Sequence, residues 1–301
     1  MNATYYNITN NANTGTVSST AVWNYALITR MTLFILQVSF NTFMLLFLVL
    51  QKSLRTGFSV YLIGLLAANI FYAFGQFPVE IVQPLFGGWW MSRAVCSYYI
   101  YHVWVFVSVS MHMHVLITVN RLWALTFPLS YRNRHTTKLA CLLSVGMVAY
   151  VHIVCLPLFL LDELYYRLPP EGEAGCQLNT DKQPLYSAIE NIVSCDLPIK
   201  ATTTTTTTGT NQKKDGGVRP FLILTLLTCS VLICWTPNQL YWTMNSFMDV
   251  SGLIQLENIA LLLYPLQAIL DPIVFALSLN TVRLALLQLW NKTAAYIGHR
   301  A

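Results

Sequence analysis

The sequence predicts an all-α integral membrane protein, a bundle of seven membrane-spanning helices followed by a short amphipathic helix. Of the 301 residues, 55% are hydrophobic and only 10% are charged, whereas a soluble domain carries about 25% charged residues. Apolar runs recur at lengths that approach the roughly 20 residues needed to cross hydrocarbon. A helix satisfies its backbone hydrogen bonds internally, as the interior of a bilayer requires.

Six apolar runs predict the first four spans and the last two. In chain order they are Thr32–Leu50, Val60–Phe74, Val103–Val119, Leu139–Leu161, Phe221–Trp235 and Ile259–Leu279.

The fifth span is the weakest of the seven in apolar character. Its candidate is Pro184–Lys200, which is short and contains Glu190 and Asp196. The tract ATTTTTTTGTNQKKDGG follows it, and two interpretations stay open. The threonine hydroxyls can bond back to the backbone and extend the helix into lipid, or the tract is a flexible loop.

Charge and glycosylation patterns predict the orientation and three regions. Asn2 and Asn7 begin acceptor patterns, which matter only on the lumenal or extracellular side. Lysine and arginine concentrate in the loops on the opposite side, as expected of a cytoplasmic face. We therefore expect a plasma-membrane protein with an extracellular, glycosylated tail (1–25), a seven-span domain (26–279), and an amphipathic helix with a short cytoplasmic tail (280–301). The net charge of +5 is thus explained by topology without a nucleic-acid partner.

The polar N-terminal stretch lacks a basic start and a short apolar core, so we expect no cleavable signal peptide.

The cysteines predict one disulfide and no metal site. Cys96 and Cys176 both fall on the expected outer side, where disulfides form and persist, and we predict that they pair. His112 and His114 are two residues apart on a helix, so they point to nearly opposite faces and are not expected to share a ligand.

Several motifs occur in the order and spacing of one receptor family. Arg121 follows Cys96 by 25 residues, and the remaining motifs are Phe40-Asn41, Leu65–Phe71 (LLAANIF), Asn120-Arg121-Leu122, Cys234-Trp235-Thr236-Pro237 and Asp271-Pro272-Ile273-Val274-Phe275. From about residue 26 to 292 the chain resembles the rhodopsin-like (family A) G-protein-coupled receptors, as a divergent, peptide-receptor-like member. The resemblance implies an extracellular ligand, a heterotrimeric G protein, a lipid bilayer and no enzymatic activity.

Two polar residues are exchanged relative to the family pattern. The family places aspartate on the second span and asparagine on the seventh, whereas this chain has Asn69 and Asp271. A carboxylate inside a bilayer must find a partner, so we expect Asp271 to face Asn69, together with Asn41 and water. The pair would form a joint that repacks on signalling, or an ion site. No cofactor is expected apart from a sodium ion near Asn69 and Asp271. The alternative is that these buried polar residues only hold the helices together through hydrogen bonds.

The resemblance also implies two switch elements. Arg121 would contact the G protein, and its usual acidic neighbour is replaced by Asn120, which predicts high basal activity. The alternative is an arginine that snorkels to the interface. Trp235 and Pro237 would form a hinge below the ligand, and packing alone is the alternative.

The ligand expected from the sequence is a short basic peptide. Amine receptors of the family carry aspartate where this chain has Val103, and retinal-binding opsins carry lysine where it has Pro265. The outer halves of the spans instead supply an aromatic and acidic lining that suits a basic partner, and its expected members are Glu80, Tyr99, Val103, Trp104, Glu190, Asn238, Gln239, Trp242 and Glu257. The alternative is that these acids simply lie at the wet outer rim.

Three other classes of protein make different predictions for the sequence. A transporter predicts an inverted repeat, and the two halves of the chain show no similarity. An intramembrane enzyme needs a nucleophile or metal set, which the scattered histidines do not supply. The remaining alternative is a receptor-like protein that binds a ligand or a partner receptor without signalling.

Overall fold

A computed structural model of the chain describes residues 25–85, 89, 91–169, 176–211, 218–245 and 254–298. The α-helices are α1 (Tyr25–Leu50), α2 (Gly57–Leu85), α3 (Arg93–Thr126), α4 (Pro128–Arg134), α5 (Thr137–Leu161), α6 (Pro184–Asn191), α7 (Leu197–Asn211), α8 (Val218–Asn245), α9 (Ile254–Ser278) and α10 (Asn280–Gly298). Two π-helical turns, Asp162–Tyr166 and Ile192–Asp196, extend α5 and join α6 to α7. The described residues contain no strand.

The helices pack as a bundle in which α3 touches most of the others. It contacts α2, α5, α7 and α8, while α9 packs against α1, α2 and α8. Large apolar side chains such as Tyr61, Phe77 and Phe275 are buried inside. Others, including Ile153 and Leu142, are exposed on the outside, as expected of a surface that meets lipid.

The helices are longer than the apolar runs that predicted them. Within the described residues, α1, α2, α3 and α5 with its π turn are each long and apolar enough to cross a membrane. For example, α3 runs from Arg93 to Thr126, well beyond the run Val103–Val119. The polar ends add helical hydrogen bonds without adding apolar surface, which is why hydropathy alone does not find them.

The fifth span is helical through most of the polythreonine tract. The segments α6, Ile192–Asp196 and α7 follow one another without a break from Pro184 to Asn211. The hydroxyl of Thr202 donates to the carbonyl of Pro198 at 2.9 Å, and that of Thr203 donates to Ile199 at 2.9 Å. In the structure the polythreonine tract extends the helix, which is the first of the two interpretations that the sequence left open.

A sharp bend separates α9 from α10. Leu279 is the single non-helical residue between them, and the helix axes on either side differ by 84°. Leu284, Leu287 and Trp290 of α10 are exposed. An apolar face on a helix turned away from the bundle suits a position along the membrane surface.

One end of the bundle is tied by the predicted disulfide, and we call it the disulfide end. Cys96 at the start of α3 is bonded to Cys176, which confirms the predicted pairing. Buried Arg167 forms an ion pair with buried Asp162 close by, and Arg93 pairs with Glu163 at 3.1 Å. These contacts hold the segment after α5 against the start of α3.

Candidate functional site

A group of buried polar side chains crosses the middle of the bundle. Asn69 of α2 donates through Nδ2 to Asp271 Oδ2 of α9 at 2.9 Å, and the same nitrogen lies 3.3 Å from Asn41 Oδ1 of α1. Asn41 in turn donates to the carbonyl of Ala268 at 2.8 Å. The three residues expected to meet are therefore in contact.

Three further side chains complete this group. Ser110 of α3 donates to Asn69 Oδ1 at 3.0 Å, and Gln267 of α9 donates to Asp271 Oδ1 at 2.8 Å. His114 Nε2 of α3 lies 3.4 Å from Asp271 Oδ2. We call the complete set the polar junction, and its members are Asn41, Asn69, Ser110, His114, Gln267 and Asp271.

Sequence reasoning missed Ser110, His114 and Gln267. A helical pattern alone could have found Gln267, because it lies one turn before Asp271 on the same face. For the histidines, spacing predicted that His112 and His114 diverge, and they do: the ring of His112 meets Tyr150 of α5 at 5.6 Å between centroids. Spacing gave no sign of which residue on another helix His114 would meet.

The polar junction borders a small internal cavity. Its volume is about 10 Å³, on the scale that admits a single water molecule. Its walls include Trp235 of α8 and Tyr72 of α2 beside the junction residues. The indole of Trp235, which was predicted to form a hinge below the ligand, is therefore next to the polar junction.

The other predicted hinge and core residues lie within α8 and α9. Pro237 lies inside the continuous helix α8, two residues beyond Trp235. Pro272 and Phe275 lie within α9, where Phe275 is fully buried in the main apolar core. All six members of the polar junction are buried, and burial strengthens their hydrogen bonds and makes any broken one costly.

Arg121 lies about 10 Å along α3 from His114, at a rise of 1.5 Å per residue. Its guanidinium carbon lies 3.3 Å from the centre of the Phe58 ring of α2, a cation–π contact. Its buried Nε has no hydrogen-bond partner among the described residues. Neighbouring Asn120 is buried and accepts from the Tyr131 hydroxyl at 3.2 Å. Arg121 thus packs on the Phe58 ring, while Asn120 is hydrogen-bonded to Tyr131 of α4.

Tyr131 and His135 form an aromatic cover beside Arg121. Their rings are stacked with centroids 4.4 Å apart, and the Tyr61 hydroxyl lies 3.4 Å from His135 Nε2. Burial raises the pKa of Tyr131, and the positive charge of Arg121 partly opposes this rise. Burial, followed by the charge of Arg121, lowers the pKa of His135 below its ordinary value of 6.5. Both pKa shifts therefore favour the neutral forms of Tyr131 and His135 next to the Arg121 guanidinium.

The side chains predicted to line the ligand pocket fall into separate groups. Glu80 of α2 accepts from Gln76 at 2.6 Å and lies 4.0 Å from Arg30 of α1. Tyr99 of α3 packs beside Trp89, with centroids 6.3 Å apart. Trp104 of α3 packs against Phe159 of α5, with ring centroids 6.3 Å apart.

The remaining predicted lining residues lie on other helices. Glu190 is buried and accepts from the Cys155 thiol of α5 at 3.6 Å. Val103 is buried in the main core. Gln239 of α8 is buried and hydrogen-bonds Asp196 of the π turn, while Asn238 beside it is half-buried. The side chains of Trp242 and Glu257, as well as Asn2 and Asn7, lie outside the described part of the chain.

Asp196 was noted in the sequence only as a charge that weakens the fifth span. Gln239 lies one helical turn from Trp235 on α8, and Ile199 of α7 packs in the same small cluster as Trp235. Asp196 thus lies about one turn from that cluster, toward the disulfide end. A π turn often marks a functional position, and this one ends at Asp196.

The described residues contain no group of three or more histidine, cysteine or acidic side chains that could hold a metal ion. The structure combines a helical bundle, a disulfide at one end, a polar junction in the interior and an arginine toward the other end. These are features expected of a seven-helix receptor. The chain matches the family model of the 7 transmembrane receptor (rhodopsin family) over residues 40–275. It belongs to this family, and it is accordingly a multi-pass plasma-membrane receptor and not an enzyme.

Several adrenergic receptors are similar to part of the chain. The Alpha-2B adrenergic receptors of Rattus norvegicus and Mus musculus are each 30% identical over 143 residues, which cover 47% of this chain and 31% of each relative. The Alpha-2B adrenergic receptor of Equus caballus is 29% identical over 147 residues, covering 47% of this chain and 36% of the relative. The chain thus spans about a third of the length of these relatives in each match.

Proposed function

We propose that this receptor transduces the binding of an extracellular ligand into nucleotide exchange on a heterotrimeric G protein. The observation that carries this proposal is that Trp235 and the Asn69–Asp271 pair border the same cavity. A ligand that displaces Trp235 changes the packing of the polar junction. Because the junction joins α1, α2, α3 and α9, and Gln267 reaches Ser230 of α8 at 3.3 Å, the change is shared by five helices.

Arg121 is the proposed output of this movement. Its guanidinium rests on Phe58, and its Nε lacks an acceptor among the described residues. A buried donor without an acceptor costs about 1–3 kcal/mol. A G-protein segment that presents a backbone carbonyl at this end of the bundle would remove that cost. The arrangement therefore favours a partner once α8 makes room for it.

The proposed orientation places the N-terminus and the disulfide end outside the cell. The acceptor patterns at Asn2 and Asn7 and the basic loops on the opposite side support it. Disulfide formation supports the same orientation, because disulfides persist in oxidising compartments.

The proposed ligand carries a positive charge, and two ligand classes compete. The short basic peptide expected from the sequence depends on several acids acting together, but Glu80 is engaged by Arg30 and Gln76, and Glu190 faces α5. The similarity to adrenergic receptors supports an amine instead. We favour the amine, with the peptide as the second candidate.

Asp196 is the residue that we assign to the amine. The family position expected to carry an aspartate for amines is Val103, which cannot pair with a charge. The hydrogen bond between Asp196 and Gln239 places a carboxylate near Trp235 from the fifth span. An ammonium group bound there would receive a charge-assisted hydrogen bond.

The experiment is guanine-nucleotide exchange on a mixed set of G proteins, in membranes that contain the receptor. Aromatic monoamines and short arginine-containing peptides are added as separate panels, and Arg121→Ala is the control. We expect exchange above the control and stimulation by the amine panel. Surface-expressed receptor that matches the control under all conditions would support the alternative, a receptor-like protein that does not signal.

Two matched variants then identify the charge that the ligand meets. Asp196→Asn should reduce the potency of an active amine by at least tenfold, whereas Glu80→Gln should leave it nearly unchanged. The reverse ranking, or potency confined to the peptide panel, would favour the basic peptide.

A further inference from the structure

The buried carboxylate of Asp271 has a potential counter-ion within the chain. His114 Nε2 lies 3.4 Å from Asp271 Oδ2, and the side chains are only 2% and 1% exposed. A lone charge at this depth is costly, and a buried charge persists when it is paired and hydrogen-bonded. Among the described residues, His114 is the side chain that can bring a positive charge to Asp271.

The donors of the polar junction do not suit the sodium ion that the sequence predicts near Asn69 and Asp271. Both oxygens of Asp271 already face donors, because Oδ1 accepts from Gln267 at 2.8 Å and Oδ2 accepts from Asn69 at 2.9 Å. His114 approaches Oδ2 from a third direction. A metal ion would require these nitrogen donors to turn away, and the adjoining cavity of about 10 Å³ offers little room for its oxygen shell.

We propose that the side chain of His114 takes the place beside Asp271 that a sodium ion would fill, and that it thereby keeps sodium out of the site. The position that a soluble ion would fill is thereby occupied by a side chain of α3. The junction consequently needs no ion from solution to remain intact. This inference does not depend on the proposed signalling function, because it concerns the charge balance of the resting bundle.

Two other titratable groups lie near the pair. Tyr72 of α2 borders the same cavity, and the thiol of Cys234 on α8 lies within range of an electrostatic interaction with Asp271. His112 faces Tyr150 instead, and its Nδ1 lies 2.8 Å from the Ser108 carbonyl. Within the described chain, the charge balance of the site thus involves Asp271 and His114.

The two histidines of α3 supply a matched experiment. Thermal unfolding of the purified full chain in lipid nanodiscs is measured in NaCl and in choline chloride at equal ionic strength. We expect the wild type and His112→Leu to show the same melting temperature in both salts. His114→Leu should melt lower in choline chloride and should recover by about 2 °C or more in NaCl, because removal of the ring nitrogen beside Asp271 opens a cation site.

Two results would overturn the proposal. One is a sodium-specific rise in the wild type as large as that in His114→Leu, which would show that sodium binds with the histidine in place. The other is the absence of any sodium-specific rise in His114→Leu, which would show that His114 does not occupy a cation position.

A second measurement applies even if His114→Leu fails to fold. Sodium-23 NMR of the wild type and of Asp271→Asn, both in lipid nanodiscs at the same protein concentration, should show the same sodium linewidth. A broader sodium line in the wild type than in Asp271→Asn would show that sodium binds at Asp271 with His114 in place, and it would contradict the proposal directly.

Discussion

Asn69 of the second span donates a hydrogen bond of 2.9 Å to Asp271 of the seventh span. The amide supplies the donor and the carboxylate the acceptor, so the contact retains its chemistry if the two residue types exchange places. This symmetry makes the pair a sensitive probe of whether the polar junction transmits a signal.

The exchange of the two residues is the first prediction. Asp271→Asn removes the charge that Gln267, Asn69 and His114 all face, and ligand-stimulated nucleotide exchange should fall by about fivefold or more, the scale of a typical coupling energy. The double variant Asn69→Asp/Asp271→Asn should regain a substantial part of the activity. Exchange is compared at equal surface expression, and equal loss in the single and double variants would refute a functional pairing.

The second prediction concerns restraint of Arg121. Asn120 lies beside it in sequence and accepts a hydrogen bond from Tyr131 at 3.2 Å. Asn120→Asp keeps this acceptor and adds a negative charge near the guanidinium, so basal nucleotide exchange should fall by about fivefold. Tyr131→Phe, which removes the hydroxyl and adds no charge, is the control and should not lower exchange. Unchanged basal exchange in Asn120→Asp would count against a missing acidic restraint.

The third prediction tests the packing of α2 against α3. A Cβ added at Gly75 would lie 1.8 Å from Cδ2 of His102, whose Nε2 is fixed 2.6 Å from the Phe71 carbonyl. Overpacking of this kind costs about 1–3 kcal/mol, and small residues are what allow membrane helices to approach closely. Gly75→Ala should therefore lower the melting temperature by about 3–10 °C.

Gly146 in α5 provides the control for that substitution. A Cβ there would meet nothing within 4 Å, so Gly146→Ala should leave the melting temperature unchanged or slightly raise it. A similar decrease in both variants would show that the backbone, and not contact with His102, is responsible.

The fourth prediction is a pH dependence at His135, which lies between α4 and α5. Burial and then Arg121 lower its pKa from 6.5. The unfolded chain therefore binds more protons than the folded chain between the lowered pKa and 6.5, so stability falls as pH decreases through this window. His135 faces Tyr61 of α2, Tyr131 of α4 and Trp123 of α3. Melting temperatures from pH 8 to 5 should fall less in His135→Gln than in the wild type, and parallel curves would exclude this contribution.

The sequence predicted those parts of the site that depend on residue type and order along one helix. The pairing of Asn69 with Asp271 followed from an exchange between two spans, and the Cys96–Cys176 disulfide followed from expected topology. Both predictions required only the assignment of each residue to a span or to an outer loop. The physical requirement that a buried carboxylate or an outer cysteine find a partner then left few choices.

Contacts that depend on helix rotation and tilt were not predictable in the same way. His114 points to Asp271 and His112 to Tyr150, and the spacing of two residues fixed only that they diverge. Glu80 was expected to be available to a ligand, but Arg30, fifty residues earlier, lies beside it. Such pairs are set by how neighbouring helices pack, and a single sequence does not contain that information in a local pattern.

The bonded hydroxyls of Thr202 and Thr203 change how the fifth span should be compared with other membrane helices. Each hydroxyl proton is directed to a carbonyl of its own helix, which leaves the γ-methyl as the chemically distinctive part of the side chain. Threonine has nearly the shape of valine, so a helix built in this way resembles a valine-rich one to the surrounding acyl chains. Hydropathy scales that score threonine by its affinity for water consequently overstate the free energy needed to insert this segment into a bilayer.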